Sequence, residues 1–160
     1  MREQRYDELL IALRKVTRAI DLYSKKLKKE TGLTSPQLLV LHEIDNQDGV
    51  LAKDIANAIN LSSATVTSIL DRLEANQYVV RERSEQDKRK VLLHLSERGK
   101  QAMQDSPRPL QAHFIQRFDQ LEPWEQSMMI ANMQRIASMM NAEDIDASPV
   151  LEVGFINQTY

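Results

Sequence analysis

Residues Leu51–Arg98 read LAKDIANAINLSSATVTSILDRLEANQYVVRERSEQDKRKVLLHLSER, and this stretch decides the fold. In its first part Leu51, Ile55, Ala56 and Ile59 recur at three- and four-residue spacing. That spacing predicts a helix with one apolar face and with Lys53, Asp54 and Asn57 on the other. Asn60-Leu61 supplies a turn, and the Ser62 hydroxyl is placed to cap a second helix. Along that helix Ile69, Leu70 and Leu73 each fall within about 60° of Val66 at about 100° per residue. The stripe must face the core, so Ala64, Ser68, Asp71 and Ala75 face outward, flanked by Thr65, Thr67 and Arg72. Beyond Glu74 the period drops to two. Tyr78–Arg83 and Val91–Leu95 are strand-forming runs joined by the charged loop Ser84–Lys90. Helix, turn, helix, strand, charged loop and strand, in that order, make a winged helix-turn-helix.

The outward face of the second helix carries small and hydroxyl-bearing side chains near its start. Small residues let a helix enter a major groove closely, and serine and threonine hydroxyls hydrogen-bond phosphates or base edges alike. A charged hairpin tip standing alone is most often a solvated loop, but behind these two helices a nucleic-acid contact is the better reading.

Val66-Thr67 and Leu70-Asp71-Arg72-Leu73-Glu74, followed by Asp87-Lys88-Arg89-Lys90-Val91 and Leu95-Ser96-Glu97-Arg98-Gly99, resemble the pattern of the MarR family of bacterial regulators. The D-x-R wing followed by L-[ST]-E-x-G is the specific part of the match. The resemblance implies a mainly α fold with a small β wing, in which a winged helix-turn-helix domain is joined to N- and C-terminal dimerisation helices. It also implies that Arg89 enters a minor groove and that Asp87 orients it. A guanidinium suits that narrow, electronegative groove, and a neighbouring carboxylate can hold it in one pose. The expected DNA contacts are Ser62, Ser63, Ala64, Thr65, Thr67, Ser68 and Arg72 on the helix, with Arg83, Asp87, Lys88, Arg89 and Lys90 on the wing. Gln77 departs from the pattern, since the family has glycine there. Asn76 is expected to supply the left-handed residue instead.

With 160 residues, 42% of them hydrophobic, the chain has the size of one domain with its own core. It has no signal-like start and no long apolar run, which predicts a soluble cytoplasmic protein with no membrane segment. Cysteine is absent, so disulfides and thiol-based redox sensing are excluded. A net charge of −2 with a pI near 5.9 argues at first against a DNA binder. The average hides a division. Residues 1–30 carry nine Lys/Arg against five Asp/Glu and residues 53–100 nine against seven, whereas residues 31–52 carry none against three and residues 101–160 three against eight. Local field decides phosphate binding, so a modest basic surface beside an acidic C-terminal half is compatible with DNA.

From Tyr6 to Lys29, apolar residues at Tyr6, Leu9, Leu10, Leu13, Val16, Ile20, Tyr23 and Leu27 predict a long amphipathic helix, ended by Gly32. The lysines at 25, 26, 28 and 29 complement its dipole. Thr34-Ser35-Pro36 opens the next helix, with Ser35 as cap and Pro36 at the first helical position. The run 38–44 is apolar nearly all round, and His42 within it reads as a hydrogen-bonded core or interface histidine. A short strand at Val50-Leu51 would complete the wing sheet. Ser96 caps a helix running to Asp105, and Ser106-Pro107-Arg108-Pro109 breaks it. Leu110, Phe114, Phe118 and Leu121 continue an i, i+4 stripe. Pro123 begins a last helix whose residues Trp124, Met128, Met129, Ala131, Met133, Ile136, Met139 and Met140 are apolar over too wide a face for a solvated surface, so something must cover it.

The expected organisation is a single MarR-like domain over 1–160. Its winged helix-turn-helix spans 34–98, its dimerisation helices 5–30 and 99–140, and its tail 141–160. Within the tail, residues 149–156 are too apolar to sit comfortably in water. Together with Asp21-Leu22-Tyr23-Ser24 and Pro36-Gln37-Leu38-Leu39, the tail is similar to the subgroup that represses compatible-solute (ectoine) genes.

His42, His94 and His113 lie far apart, and no pair has metal-ligand spacing. There is no P-loop, GxGxxG or G-x-S-x-G. No enzyme, metal or cofactor is therefore expected. Two function classes remain open on the residues. One is a homodimeric transcriptional regulator, a repressor, that binds a pseudo-palindromic duplex operator and answers to a small molecule or solution condition. The other is a winged-helix module for protein–protein interaction that works through the acidic C-terminal half. The basic wing and the groove-compatible face from Ala64 to Ser68 favour the first.

Overall fold

The computed structural model describes residues 2–145 and 150–151. Its elements are α1 (Arg2–Thr31), α2 (Ser35–Asn46), α3 (Ala52–Ile59), α4 (Ser63–Ala75), β1 (Val79–Arg83), β2 (Val91–Leu95), α5 (Glu97–Asp105), α6 (Leu110–Phe118) and α7 (Pro123–Met139). The fold is mainly α with a small β wing. β1 and β2 pair antiparallel with Val79 opposite Leu95, Arg81 opposite Leu93 and Arg83 opposite Val91. At the Val50-Leu51 position the structure has one bridge, between Val50 and Leu93, rather than a third strand.

The core gathers around α2. Leu38, Val40, Leu41 and Ile44 are buried there against Ile55, Ala56 and Ile59 of α3, Val66, Leu70 and Leu73 of α4, and Val79 and Leu93 of the wing. The end of α1 joins this cluster through Leu27, and Gly32 ends that helix in the left-handed region at φ +73°, its N–H donating to the Lys28 carbonyl. His42 pairs with Asn46 at 3.0 Å, as a hydrogen-bonded histidine should.

Three local details differ from expectation, each because backbone hydrogen bonds fix a register that residue type alone does not. Leu51 is the N-cap of α3 rather than part of it. Thr34, not Ser35, caps α2. Its hydroxyl accepts from the Gln37 N–H while the Gln37 side chain accepts from the Thr34 N–H, a reciprocal capping box that places Pro36 one position further in. After α4, Gln77 takes the left-handed conformation at φ 63°, and Asn76 stays at φ −89°. The Gln77 N–H donates to the Glu74 carbonyl and the Tyr78 N–H to the Leu73 carbonyl, which is the Schellman pattern and requires the left-handed residue at position 77.

Ser62 and Ser96 cap α4 and α5 as expected. Gly99 lies so close to the Tyr78 carbonyl that a Cβ there would collide with it, which explains a glycine in the first turn of α5. Along α1, Tyr6, Leu9, Leu10, Ile11 and Val16 are exposed, and along α7 Trp124, Met128, Met129, Ile130 and Met133 are exposed too. These surplus apolar faces lie at opposite ends of the sequence. In the tail, Val150 is buried. The remainder of the apolar run 149–156, namely residue 149 and residues 152–156, lies outside the described residues.

Candidate nucleic-acid interface

α4 presents one side to the core and the other to solvent. Val66, Leu70 and Leu73 are buried, whereas Ser62, Ser63, Ala64, Thr67, Ser68, Asp71 and Arg72 are exposed and Thr65 is half-buried. Several hydroxyls on the outer side are already engaged. Ser62 Oγ accepts from the Thr65 N–H at 3.1 Å and shares a hydrogen bond with Thr65 Oγ1 at 2.7 Å, while Thr67 Oγ1 donates to the Ser63 carbonyl at 2.8 Å. The Ser63 and Ser68 hydroxyls have no such bond and are the available donors on this face.

The wing loop is held by its own backbone. The Ser84 N–H donates to the Lys90 carbonyl, and the Lys90 N–H to the Asp87 carbonyl. The Asp87 N–H in turn donates to Ser84 Oγ. The Asp87 carboxylate accepts from the backbone N–H of Arg89 at 3.1 Å. Asp87 therefore orients Arg89 through the main chain rather than by pairing with its guanidinium, because a residue two positions away in a tight turn meets the N–H first. The Arg89 side chain is exposed.

Arg81 does what Arg89 does not. Its Nη2 pairs with Asp71 Oδ1 at 2.7 Å and its Nη1 with Glu74 Oε2 at 2.6 Å, tying β1 to α4. Partial burial works against the guanidinium's charge, but the hydrogen bond it donates to Asp71 and the charge of Glu74 outweigh it, so its pKa is raised. The cations on the exposed edge are in the opposite condition. Arg72, Arg83, Lys88, Arg89 and Lys90 enter no ion pair among the described residues, and all are exposed. The two acidic groups of α4 thus share one cation, and the basic groups at the edge of α4 and the wing are exposed without an ion pair among the described residues. At the wing's base His94 Nδ1 meets Asp48 Oδ1 at 2.7 Å, and Glu82 lies 3.6 Å from Nε2, joining β2 to the loop before α3.

Comparison with known proteins shows what this chain is similar to. Residues 33–91 match the MarR family model, a span that runs from the start of α2 to the start of β2. Over these residues the chain is similar to the MarR family. Over 99 residues it is 36% identical to the HTH-type transcriptional regulator MgrA of Staphylococcus aureus, covering 62% of this chain and 65% of MgrA. Over 72 residues it is 40% identical to the HTH-type transcriptional regulator SarZ of Staphylococcus epidermidis, covering 45% of this chain and 49% of SarZ. The chain therefore spans just under two thirds of the first of these relatives and about half of the second. Among solved structures, the S. aureus MepR–DNA complex matches with a TM-score of 0.56 at 22% identity, covering 88% of this chain and 99% of that one. Streptococcus pneumoniae FabT in complex with DNA matches with a TM-score of 0.56 at 22% identity, covering 87% and 97%. At that identity the likeness concerns the fold, a winged helix with helices at both ends of the chain.

Of the expected site residues, those on α4 and the wing are exposed apart from Thr65 and Asp87, which are half-buried, and the Asp87 carboxylate is engaged by the loop backbone. Sequence reasoning missed Arg81. Its signal was present: Arg81 shares strand parity with the buried Val79, so it faces α4, where Asp71 and Glu74 stand one turn apart. Among the described residues no His, Asp and Glu side chains gather closely enough to hold a metal ion, and no helix is long and apolar enough to cross a membrane.

Proposed function

We propose that the protein is a homodimeric DNA-binding regulator of transcription, a repressor, in which α4 enters the major groove and the wing carries Arg89 into the adjacent minor groove. One observation carries this reading: the five cations Arg72, Arg83, Lys88, Arg89 and Lys90 lie along α4 and the wing without an ion pair among the described residues, while the nearby carboxylates Asp71 and Glu74 are both engaged by Arg81. DNA affinity comes mainly from cations meeting phosphates, and an unpaired cation meets them without first breaking an ion pair. The names of MgrA and SarZ, and the DNA in the FabT and MepR structures, support the same reading.

The dimer forms through α1, α6 and α7, because the exposed apolar faces of α1 and α7 are wider than a lone domain leaves in water. Two-fold symmetry then relates two α4 helices and makes the operator pseudo-palindromic, with half-site centres about 10 base pairs apart. Few side chains on α4 offer bidentate base contacts, so DNA shape supplies much of the specificity, with A/T-rich flanks preferred where Arg89 inserts. The signal is a small molecule or solution condition, and the similarity of the tail to the ectoine-gene repressors points to compatible-solute genes as the regulated set.

Selection from random duplexes tests this reading. The expected product is an inverted repeat, bound by a species that sediments as a dimer. Recovery of no preferred sequence would favour the protein–protein interaction module, working through the acidic C-terminal half.

A further inference from the structure

Beyond α7 one described residue is buried. Val150 is 5% exposed, the one aliphatic residue beyond Leu93 that is buried among the described residues. It sits in a seam walled by Tyr23 of α1, Ser35 and Leu39 of α2, and Pro109, Leu110 and Gln111 at the start of α6. The void left there is about 10 Å³, no more than the least that admits one water. Leu151 adds a directional contact, its backbone N–H donating to Gln111 Oε1 at 3.1 Å.

The seam's position gives the contact its meaning. α2 is the centre of the winged-helix core, whereas α1 and α6 carry the exposed apolar residues at the two ends of the chain. Tyr23 already links two of the walls, its hydroxyl donating to the Arg108 carbonyl at 3.0 Å. Ser35 Oγ is buried there without a hydrogen-bond partner. With Val150 withdrawn, the walls would face an apolar gap beside that hydroxyl, and they would either close on the gap or admit water. Either response moves α2 relative to α1 and α6.

We propose that the Val150-Leu151 pair is an intramolecular clasp. Val150 and Leu151, seated between α2 and α6, fix the orientation of the winged-helix lobe against the terminal helices, and so preset the spacing of the two α4 helices in a dimer. Burial of one valine side chain favours the seated state by about ten- to a hundredfold, enough to keep the clasp shut and small enough to be opened. The link to DNA rests on the function proposed above, but the clasp itself does not.

Two measurements on the full-length protein separate them. Val150→Asp puts a charge in the seam and should unseat the pair. Amide exchange at residues 35–39 and 108–111 should then speed up about tenfold while residues 62–73 keep the parent's protection. Gln111→Ala should give a smaller change in the same place, and Gln111→Glu, which keeps an acceptor for the Leu151 N–H, should restore parent behaviour. Unchanged exchange in Val150→Asp would overturn the clasp. On DNA obtained by selection, Val150→Asp should lose about tenfold in affinity for the full inverted repeat, with little change on a single half-site. Equal loss on both, or none on either, would overturn the coupling to DNA. A parent protein that selects no DNA would sink the regulator reading while leaving the exchange result to decide the clasp.

Discussion

Removing Arg81 tests whether the recognition helix and the wing work as one body. In Arg81→Ala both ion pairs disappear, the 2.7 Å contact to Asp71 and the 2.6 Å contact to Glu74. The side chains of Asp71 and Glu74 are 60% and 42% exposed, so water already screens both carboxylates. Each pair therefore takes the surface value of about 0.2–1 kcal/mol rather than that of a buried bridge. Together they should cost about 1 kcal/mol, which for a chain of this size lowers Tm by about 2–4 °C. The effect on DNA should be larger than the effect on folding. Two uncompensated carboxylates would then stand on the helix that meets the phosphates, and the wing would lose its tether to that helix. We expect about tenfold weaker binding at low salt, or about 1.4 kcal/mol, with the gap to the parent narrowing as salt screens the repulsion. Adding Asp71→Asn and Glu74→Gln to Arg81→Ala should recover the electrostatic part, while Arg81→Lys, lacking the planar fork, should recover only some of it. Fluorescence anisotropy on the selected duplex at two salt concentrations reads the binding, and calorimetry reads the melting. A variant that binds like the parent at low salt would refute the clamp, whatever its Tm.

Arg89→Ala should weaken operator binding by about 1–3 kcal/mol, relax the preference for A/T-rich flanks and leave Tm unchanged, because the side chain packs on nothing; binding and melting curves on one preparation check both. Asp87→Asn keeps an acceptor for the Arg89 N–H and should bind nearly as the parent does, whereas Asp87→Ala should lose affinity as the loop loosens, which titration of both variants against one duplex will tell apart. Gln77→Gly should raise stability by about 1 kcal/mol in denaturant unfolding, since the residue is already left-handed and glycine removes the Cβ strain. Burial raises the Tyr23 phenol above its ordinary 10.0, the Leu110 backbone opposing in part. The folded chain thus holds a proton that the unfolded chain gives up first. That contribution is complete below pH 10 and is lost as pH rises through the folded value, so Tyr23→Phe should show a shallower alkaline decline in unfolding free energy than the parent.

What could be read from the residues was whatever depends on neighbours in sequence. The stripe of Val66, Ile69, Leu70 and Leu73 orients α4 because helical spacing alone puts those side chains on one face, and Ser62 and Ser96 cap because a hydroxyl reaches an N–H three positions on. What could not be read was which of two adjacent candidates wins when a hydrogen bond from further along the chain decides. Thr34 wins over Ser35 because Gln37 answers it, and Gln77 takes the left-handed turn because the Tyr78 N–H must reach the Leu73 carbonyl. Arg81 was legible only through its strand parity with Val79, since its partners are seven and ten residues away across a turn.

The wing shows why such misplacements bear on function. A guanidinium locked to Asp87 would meet every groove in one pose. A guanidinium whose backbone alone is held can follow the width of the groove it enters, and its energy then varies with the local narrowness of the duplex rather than with any one base. The rigid contact belongs to Arg81 and the adaptable one to Arg89. For the regulator proposed above, that division would suit reading of DNA shape: a fixed frame between helix and wing, with an unpaired guanidinium among the cations of the tip.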